Sequence, residues 1–341
     1  MNRRTSLTAA AAAIALLLAG YGAFWWLVAE RVEASLAGWV EAERQAGLIV
    51  DAERTPVGGF PLRFSATFRH PHVTGALSGQ PIDWQPPDVT VWLWPFDLQT
   101  LHLSASGTHN LSLGGKAAVL DAEALEVGIG FDGAGRLKRV GLNCDAATLA
   151  LPDGKTVAFD ALTVAADIPP TPPSSERDPL LSFSLRAGGL KLPPDVQLLT
   201  TDPVGDVTLE GTMKGPLPGA PLREALAAWR DHGGIVEISS FGASQGPLSL
   251  SGGATIALDA GLQPIVAANV KARGLGPTID LLAGQKRIAQ DDVLKLKLFV
   301  AATERDAQGG GKEVTSGVTL QNGFLSIGPF KVARIARIDW P

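Results

Sequence analysis

Apolar and polar positions along this chain change their period twice, and the changes mark out its parts. From Leu7 to Val28 no charged residue interrupts an apolar run that opens Leu-Thr-Ala-Ala-Ala-Ala-Ala-Ile-Ala-Leu-Leu-Leu and closes Phe24-Trp25-Trp26-Leu27-Val28. A helix of that length, at about 1.5 Å rise per residue, matches the roughly 30 Å hydrocarbon core of a bilayer. Beyond it Val28, Val32, Leu36, Trp39 and Val40 recur at steps of three and four, with Glu33, Glu41, Glu43 and Arg44 elsewhere around the barrel. That spacing predicts a helix over 30–46 laying an apolar stripe against the following domain, with Gly47 as its stop.

From Leu48 onward the period is two. In Leu62-Arg63-Phe64-Ser65-Ala66-Thr67-Phe68-Arg69 apolar and polar residues alternate, as a half-buried antiparallel strand requires. Val89–Trp94 is apolar on both faces, which predicts a central or covered strand. Leu98–Ser106, Leu111–Leu113 and Val119–Phe131 continue the pattern. Val140–Leu151 and Thr156–Ile168 flank Pro152-Asp153-Gly154-Lys155, a hairpin signal because Asp-Gly accepts the positive φ of a tight turn. Later strands are predicted at Leu180–Ala187, Val204–Lys214, Ile235–Phe241, Pro247–Ser251, Ala254–Leu258, Ile265–Arg273, Val293–Thr303, Val314–Leu320 and Phe324–Ile327. Short helices are predicted at Arg223–Asp231, closed by Gly233-Gly234, and at Thr278–Asp291.

Ile168–Pro179 carries too many prolines for a central strand, since proline donates no ladder hydrogen bond. It reads as a linker or long surface loop. The resulting division is 1–29 as cytoplasmic stub and transmembrane anchor, 30–47 as juxtamembrane helix, 48–167 and 180–341 as two β halves, and 168–179 between them. The predicted fold class is mainly β: an N-terminal transmembrane helix, then curved, mostly antiparallel sheet around an aliphatic interior, with two or three short helices.

Composition agrees with strands and turns: 39 Gly and 24 Pro among 341 residues, 45% of them hydrophobic. A net charge of −5 argues against a nucleic-acid partner, whose backbone demands an excess of Lys and Arg. Arg3 and Arg4 before the span favour a cytoplasmic N-terminus, which puts the bulk of the chain in the periplasm on a single inner-membrane pass. Trp25 and Trp26 at the far end suit the headgroup layer. A cleaved signal peptide competes, but Tyr21-Gly22-Ala23 puts a bulky residue three places before the cut, so a retained anchor is the preferred reading. Cys144, the only cysteine, excludes an intramolecular disulfide and reads as a small core residue.

The search for chemistry yields turns rather than sites. Gly242-Ala243-Ser244-Gln245-Gly246 matches a nucleophile elbow, but Pro247 and the alternating Leu248-Ser249-Leu250-Ser251 follow where a helix is required. Gly128-Ile129-Gly130-Phe131-Asp132-Gly133 likewise has no helix after it to hold a pyrophosphate. His70, His72, His102 and His109 lack the spacing of a metal site. Asp291-Asp292 reads as a helix end. No catalytic residue, metal or cofactor is assigned, and the chain is expected not to be an enzyme.

Several stretches together carry a family likeness: the single span, Gly38-Trp39, Val57-Gly58-Gly59-Phe60-Pro61-Leu62, and Ala225–Gly234 running into Ile235-Val236-Glu237-Ile238. Gly246-Pro247-Leu248 and Gly323-Phe324-Leu325-Ser326-Ile327-Gly328-Pro329-Phe330 complete the set. In this order they resemble the uncharacterised bacterial envelope family called domain of unknown function 2125. More distantly, the amphipathic strands are similar to AsmA-like envelope proteins, whose curved sheets are thought to shelter lipid. The resemblance implies architecture and location and supplies no catalytic residue. An aliphatic, featureless lining suits acyl chains better than a polar substrate. Lipid binding or transfer in envelope maintenance is therefore the expected function, with Leu62, Phe64, Phe68, Val91 and Leu93 lining the groove and membrane lipid as partner, alongside other envelope proteins. The alternatives are a non-catalytic structural or partner-binding scaffold with a filled core, and a serine hydrolase built on Ser244.

Overall fold

The computed structural model describes residues 3–77, 79–193, 203–307, 311–328 and 330–340; the side chains at 3–13, 77, 291, 330 and 332 lie outside that description. Arg3, Arg4 and the final Pro329 motif position fall partly or wholly outside it. The fold is mainly β, with four helices and antiparallel pairing throughout the described strands. The chain divides by its contacts into Met1–Gly135 and Arg136–Pro341.

The first unit opens with one unbroken helix, α1 (Arg3–Gln45), so the apolar run and the amphipathic segment are a single element. Ala29-Glu30 offers no glycine or proline to interrupt it, and Gly47 ends it with a φ of 93°. Ile14–Gly20 is exposed all round, whereas Trp25 and Ala29 are buried and Tyr21, Val28, Val32 and Leu36 half-buried along one stripe. That stripe rests on a meander of β1 (Leu48–Arg54), β2 (Phe64–Leu77), β3 (Gln80–Gln85), β4 (Val89–Trp94), β5 (Asp97–Ser104), β6 (Gly107–Leu113) and β7 (Lys116–Phe131).

The pairing shows that four of these strands are two interrupted ones. β2 pairs through Phe64–Phe68 with β4 and through Val73–Leu77 with β3. β3 and β4 continue onto β6 and β5, and β7 closes on both through its two halves. The ladder therefore fails along one transverse line, at His70 in β2, Pro86–Asp88, Ala105–Ser106 and Glu123–Leu125. His70 has a φ of 44°, and its N–H donates to Asp88 Oδ1 at 2.9 Å, which ties two of the breaks together. Pro86-Pro87 cannot donate to a ladder, which is why the second break falls there.

The second unit is a longer meander of β8 (Leu137–Ala150), β9 (Thr156–Asp167), β10 (Pro179–Gly188), β11 (Val207–Lys214), β12 (Ile235–Gln245), β13 (Leu248–Leu258) and β14 (Pro264–Arg273). Consecutive strands pair antiparallel throughout. The Asp-Gly signal is the β8–β9 turn, with Gly154 at a φ of 79°. The Pro-rich segment joins β9 to β10, which pair directly, so it is a surface connection inside this unit; the division between units falls at Gly135. Asp178 pins its end by accepting from the Ser174 and Ser175 N–H groups, both at 2.9 Å. Helix α2 (Leu222–Asp231) follows β11, and its Trp229 donates Nε1–H to the Lys214 carbonyl at 2.7 Å.

After β14 come α3 (Leu275–Gly284), α4 (Gln290–Thr303), β15 (Arg305–Asp306), β16 (Lys312–Gln321), β17 (Phe324–Ile327) and β18 (Phe330–Arg334). Two expectations fail here. The helix predicted at 278–291 ends at Gly284, and Val293–Thr303, predicted as a strand from its alternation, is α4. Its Leu, Lys and Ala residues are good helix formers and lack the β-branched excess of a strand. Helicity brings Val293 and Val300 onto Ile279, Leu275 and Val314, and lets Lys295 reach Asp292 at 3.1 Å. The Asp291-Asp292 pair therefore begins this helix.

Candidate functional site

Between α1 and the sheet of the first unit lies a cavity of about 620 Å³. The helix contributes Val28, Arg31, Val32, Ser35, Leu36 and Trp39, one stripe at steps of three and four. Val50 of β1, Phe68, Pro71 and Val73 of β2, Trp84 and Pro86, and Val89, Val91 and Leu93 of β4 form the facing wall. Leu98, Leu101 and Leu103 of β5 with Ile129 and Phe131 of β7 complete it. Of these residues only Arg31 and Ser35 present polar groups that are not part of an aromatic ring.

The wall stays apolar because the breaks re-aim the side chains. In β2 the inward positions are Phe64, Ala66 and Phe68, then Pro71 and Val73: the parity flips at His70, as a bulge requires. Trp84 and Pro86 give way to Val89, Val91 and Leu93 across the second break. In β5 a register irregularity opposite Trp92–Trp94 lets Leu98 and Leu101 face the same way. On the other face of β4, Trp92 stacks on His102 with ring centroids 3.9 Å apart.

The helix is held over the wall at two places. Phe64 is fully buried and stacks on Trp25 at 5.1 Å, with Ala29, Val28, Val32, Val57 and Leu93 around them. One turn further along, the Arg54 guanidinium and the Val57 N–H both donate to the Glu33 carboxylate, the latter at 3.1 Å. Arg31 points from the same helix with no ion-pair partner among the described residues, which leaves one cation at the edge of an apolar space.

Of the residues expected to line a groove, Phe68, Val91 and Leu93 lie in the cavity wall. Phe64 does not: it fills the contact under Trp25. Leu62 is outside β2 altogether, in a turn whose Leu62 and Arg63 N–H groups both donate to the Gly59 carbonyl, and its side chain is 70% exposed. The alternation of 62–69 is genuine only from Phe64, where pairing begins. Trp25, expected at the headgroup layer, faces the sheet, while Trp26 faces outward. Sequence reading missed Trp84, Pro71, Val73 and the β5 and β7 leucine and isoleucine positions as one set, because each parity flip hides the common face. The helix stripe was the available signal.

The remaining motifs stay apart. Ser244 lies within β12, and the Gly246-Pro247 turn leads into β13, so its setting is strand–turn–strand. Gly128 and Gly130 are within β7. His72 contacts Asp83 at 3.1 Å, and His109 is buried against Trp84. Among the described residues, no three His, Cys, Asp or Glu side chains converge as metal ligands. A depression of about 520 Å³ in the second unit is lined by Thr212, Glu237, Ser239, Thr255 and Asn269 and lies open to solvent.

Neither the curated proteins nor the solved structures yield a match to this chain, and the more distant AsmA-like similarity is not shown by these comparisons. A family model does match, from Trp25 to just beyond β18, and so takes in the helix stripe, the cavity wall and every described strand and helix of the second unit. On that match over residues 25–336 the chain belongs to the bacterial family described as "Uncharacterized protein conserved in bacteria (DUF2125)".

Proposed function

We propose that this protein is a single-span, membrane-anchored periplasmic protein that holds one acyl chain of a membrane lipid between α1 and the sheet of its first unit. The observation that carries the reading is the cavity itself. Its volume of about 620 Å³ falls in the range of about 300–1,000 Å³ typical of small-molecule sites. Its lining offers hydrocarbon contact and almost no placed donors, which selects for an aliphatic ligand over a sugar, nucleotide or peptide. Arg31 and Ser35 at the helix edge would meet an anionic headgroup. The anchor supplies the ligand's source, since α1 is long and apolar enough to cross a membrane. Each methylene kept out of water is worth about 0.8 kcal/mol, so the apolar lining retains an acyl chain against escape into water without any specific polar contact.

We read the chain as non-catalytic, because Ser244 lacks the strand-to-helix setting that exposes a nucleophile. A packed scaffold is the second reading, supported by the filled contact of Phe64 and Trp25; that contact occupies one end of the helix–sheet seam. Titrating the detergent-solubilised chain with a phosphatidylethanolamine carrying a fluorescent acyl chain tests the proposal. Saturable binding, displaced by unlabelled phospholipid and lost on Leu101→Trp, is expected. Binding that never saturates, or that Leu101→Trp leaves untouched, would exclude this cavity as the site.

A further inference from the structure

The apolar surface of the first unit continues past the cavity to one end of the sheet. There the Gly59–Arg63 turn and the Trp94–Asp97 turn close around α1 at Tyr21. Phe96 is 88% exposed, Leu62 70% and Phe60 57%. The Tyr21 ring stands 6.2 Å from Phe96 and 6.1 Å from Phe60, and its hydroxyl donates to the Pro61 carbonyl. A contiguous apolar patch of this kind is rare on a soluble surface. The adjoining helix turns, Ile14–Leu18, are exposed and apolar as well. Asp97, the acidic group that closes the second turn, accepts the Gln99 N–H at 3.1 Å at the start of β5. Arg63 follows Leu62 at the surface with no ion-pair partner among the described residues, placed as a cation beside an aromatic belt.

We infer that these two turns are a membrane-seating collar: Phe60, Leu62 and Phe96 enter the acyl layer of the leaflet that α1 leaves at Tyr21, and the first unit stands end-on upon it. The inference rests on the anchor reading of α1, not on lipid binding in the cavity. It fixes the depth of the unit, because Val28, the first residue of the cavity lining, is about 10 Å further along the helix at 1.5 Å per residue. The opposite end of the same sheet, with the Gly114-Gly115 turn into Lys116, then faces away from the bilayer.

The test places an environment-sensitive nitrobenzoxadiazole label at Leu16→Cys, Phe96→Cys or Lys116→Cys, each on a Cys144→Ala background that removes the only native thiol. The full chain is reconstituted into phosphatidylethanolamine–phosphatidylglycerol vesicles carrying doxyl-labelled lipid. Labels at 16 and 96 are expected to emit to the blue and lose most of their intensity to doxyl quenching, while the label at 116 stays water-like. A quenched 16 with a water-like 96 overturns the collar and leaves the anchor standing. A water-like 16 overturns both. Equal quenching at 96 and 116 overturns the end-on seating.

Discussion

Phe64→Ala is the substitution that most sharply probes how α1 is fastened. The ring is fully buried, stacks on Trp25 at 5.1 Å with an interplanar angle of 24°, and lies among Ala29, Val28, Val32, Val57 and Leu93. Nothing nearby can collapse into the gap without moving the helix off the sheet, so the loss is expected at about 3–5 kcal/mol, the range for a buried Phe→Ala. Leu101→Ala is the contrast. Its side chain is half-buried and faces the cavity, so fewer contacts disappear and the expected cost is about 1–2 kcal/mol. Urea unfolding of the detergent-solubilised chain, followed by tryptophan fluorescence, reports both, because Trp25 is one of the fluorophores. Slopes should be compared before midpoints, since a chain with two compact units need not unfold in one step. A Phe64→Ala loss below about 1 kcal/mol, or one no larger than that of Leu101→Ala, would refute the seated helix.

Other consequences follow from single residues. A Cβ on Gly234 would stand 2.3 Å from the Trp229 ring, so Gly234→Ala should destabilise the second unit by about 1–3 kcal/mol, visible as a lower unfolding midpoint. Burial holds the His109 imidazole below its ordinary value, against the opposing pull of the Ala105 carbonyl and Asp121. The unfolded chain therefore takes up the proton first, and stability should fall as pH drops below about 6.5. His109→Phe, which keeps a ring against Trp84, should flatten that acid limb; an unchanged difference between variant and parent from pH 8 to 5 would argue against it. Ser244→Ala is expected to change stability by no more than about 0.5 kcal/mol, and a serine-hydrolase probe should leave Ser244 unlabelled.

Most strand positions were readable because apolar–polar alternation is a local signal, and glycine-bearing turns such as Asp153-Gly154 and Asn322-Gly323 announce themselves locally. The helix stripe from Val28 to Val40 was equally plain, since its period owes nothing to distant residues. The cavity wall was harder. His70 and Pro86–Asp88 shift the parity of two adjacent strands at the same level, and only the pairing of those strands shows that Phe68, Val73, Trp84 and Val91 share a face. Leu62 was misplaced for a related reason: alternation persists through the Gly59–Arg63 turn, but the ladder does not. Val293–Thr303 alternates in sequence and is helical in the fold, because packing of Val293 and Val300 on α3 outweighs a period that either element could carry.

The lipid content of the purified chain tests the central claim most directly. Mass spectrometry of protein extracted in mild detergent, washed and stripped of bulk lipid should find close to one phospholipid or fatty acid per chain. The amount should drop severalfold in Leu101→Trp, which fills the cavity, and persist in Leu298→Trp, an exposed position in α4 of the second unit. No retained lipid in the parent chain, or equal retention in both variants, would contradict an acyl chain held between α1 and the sheet.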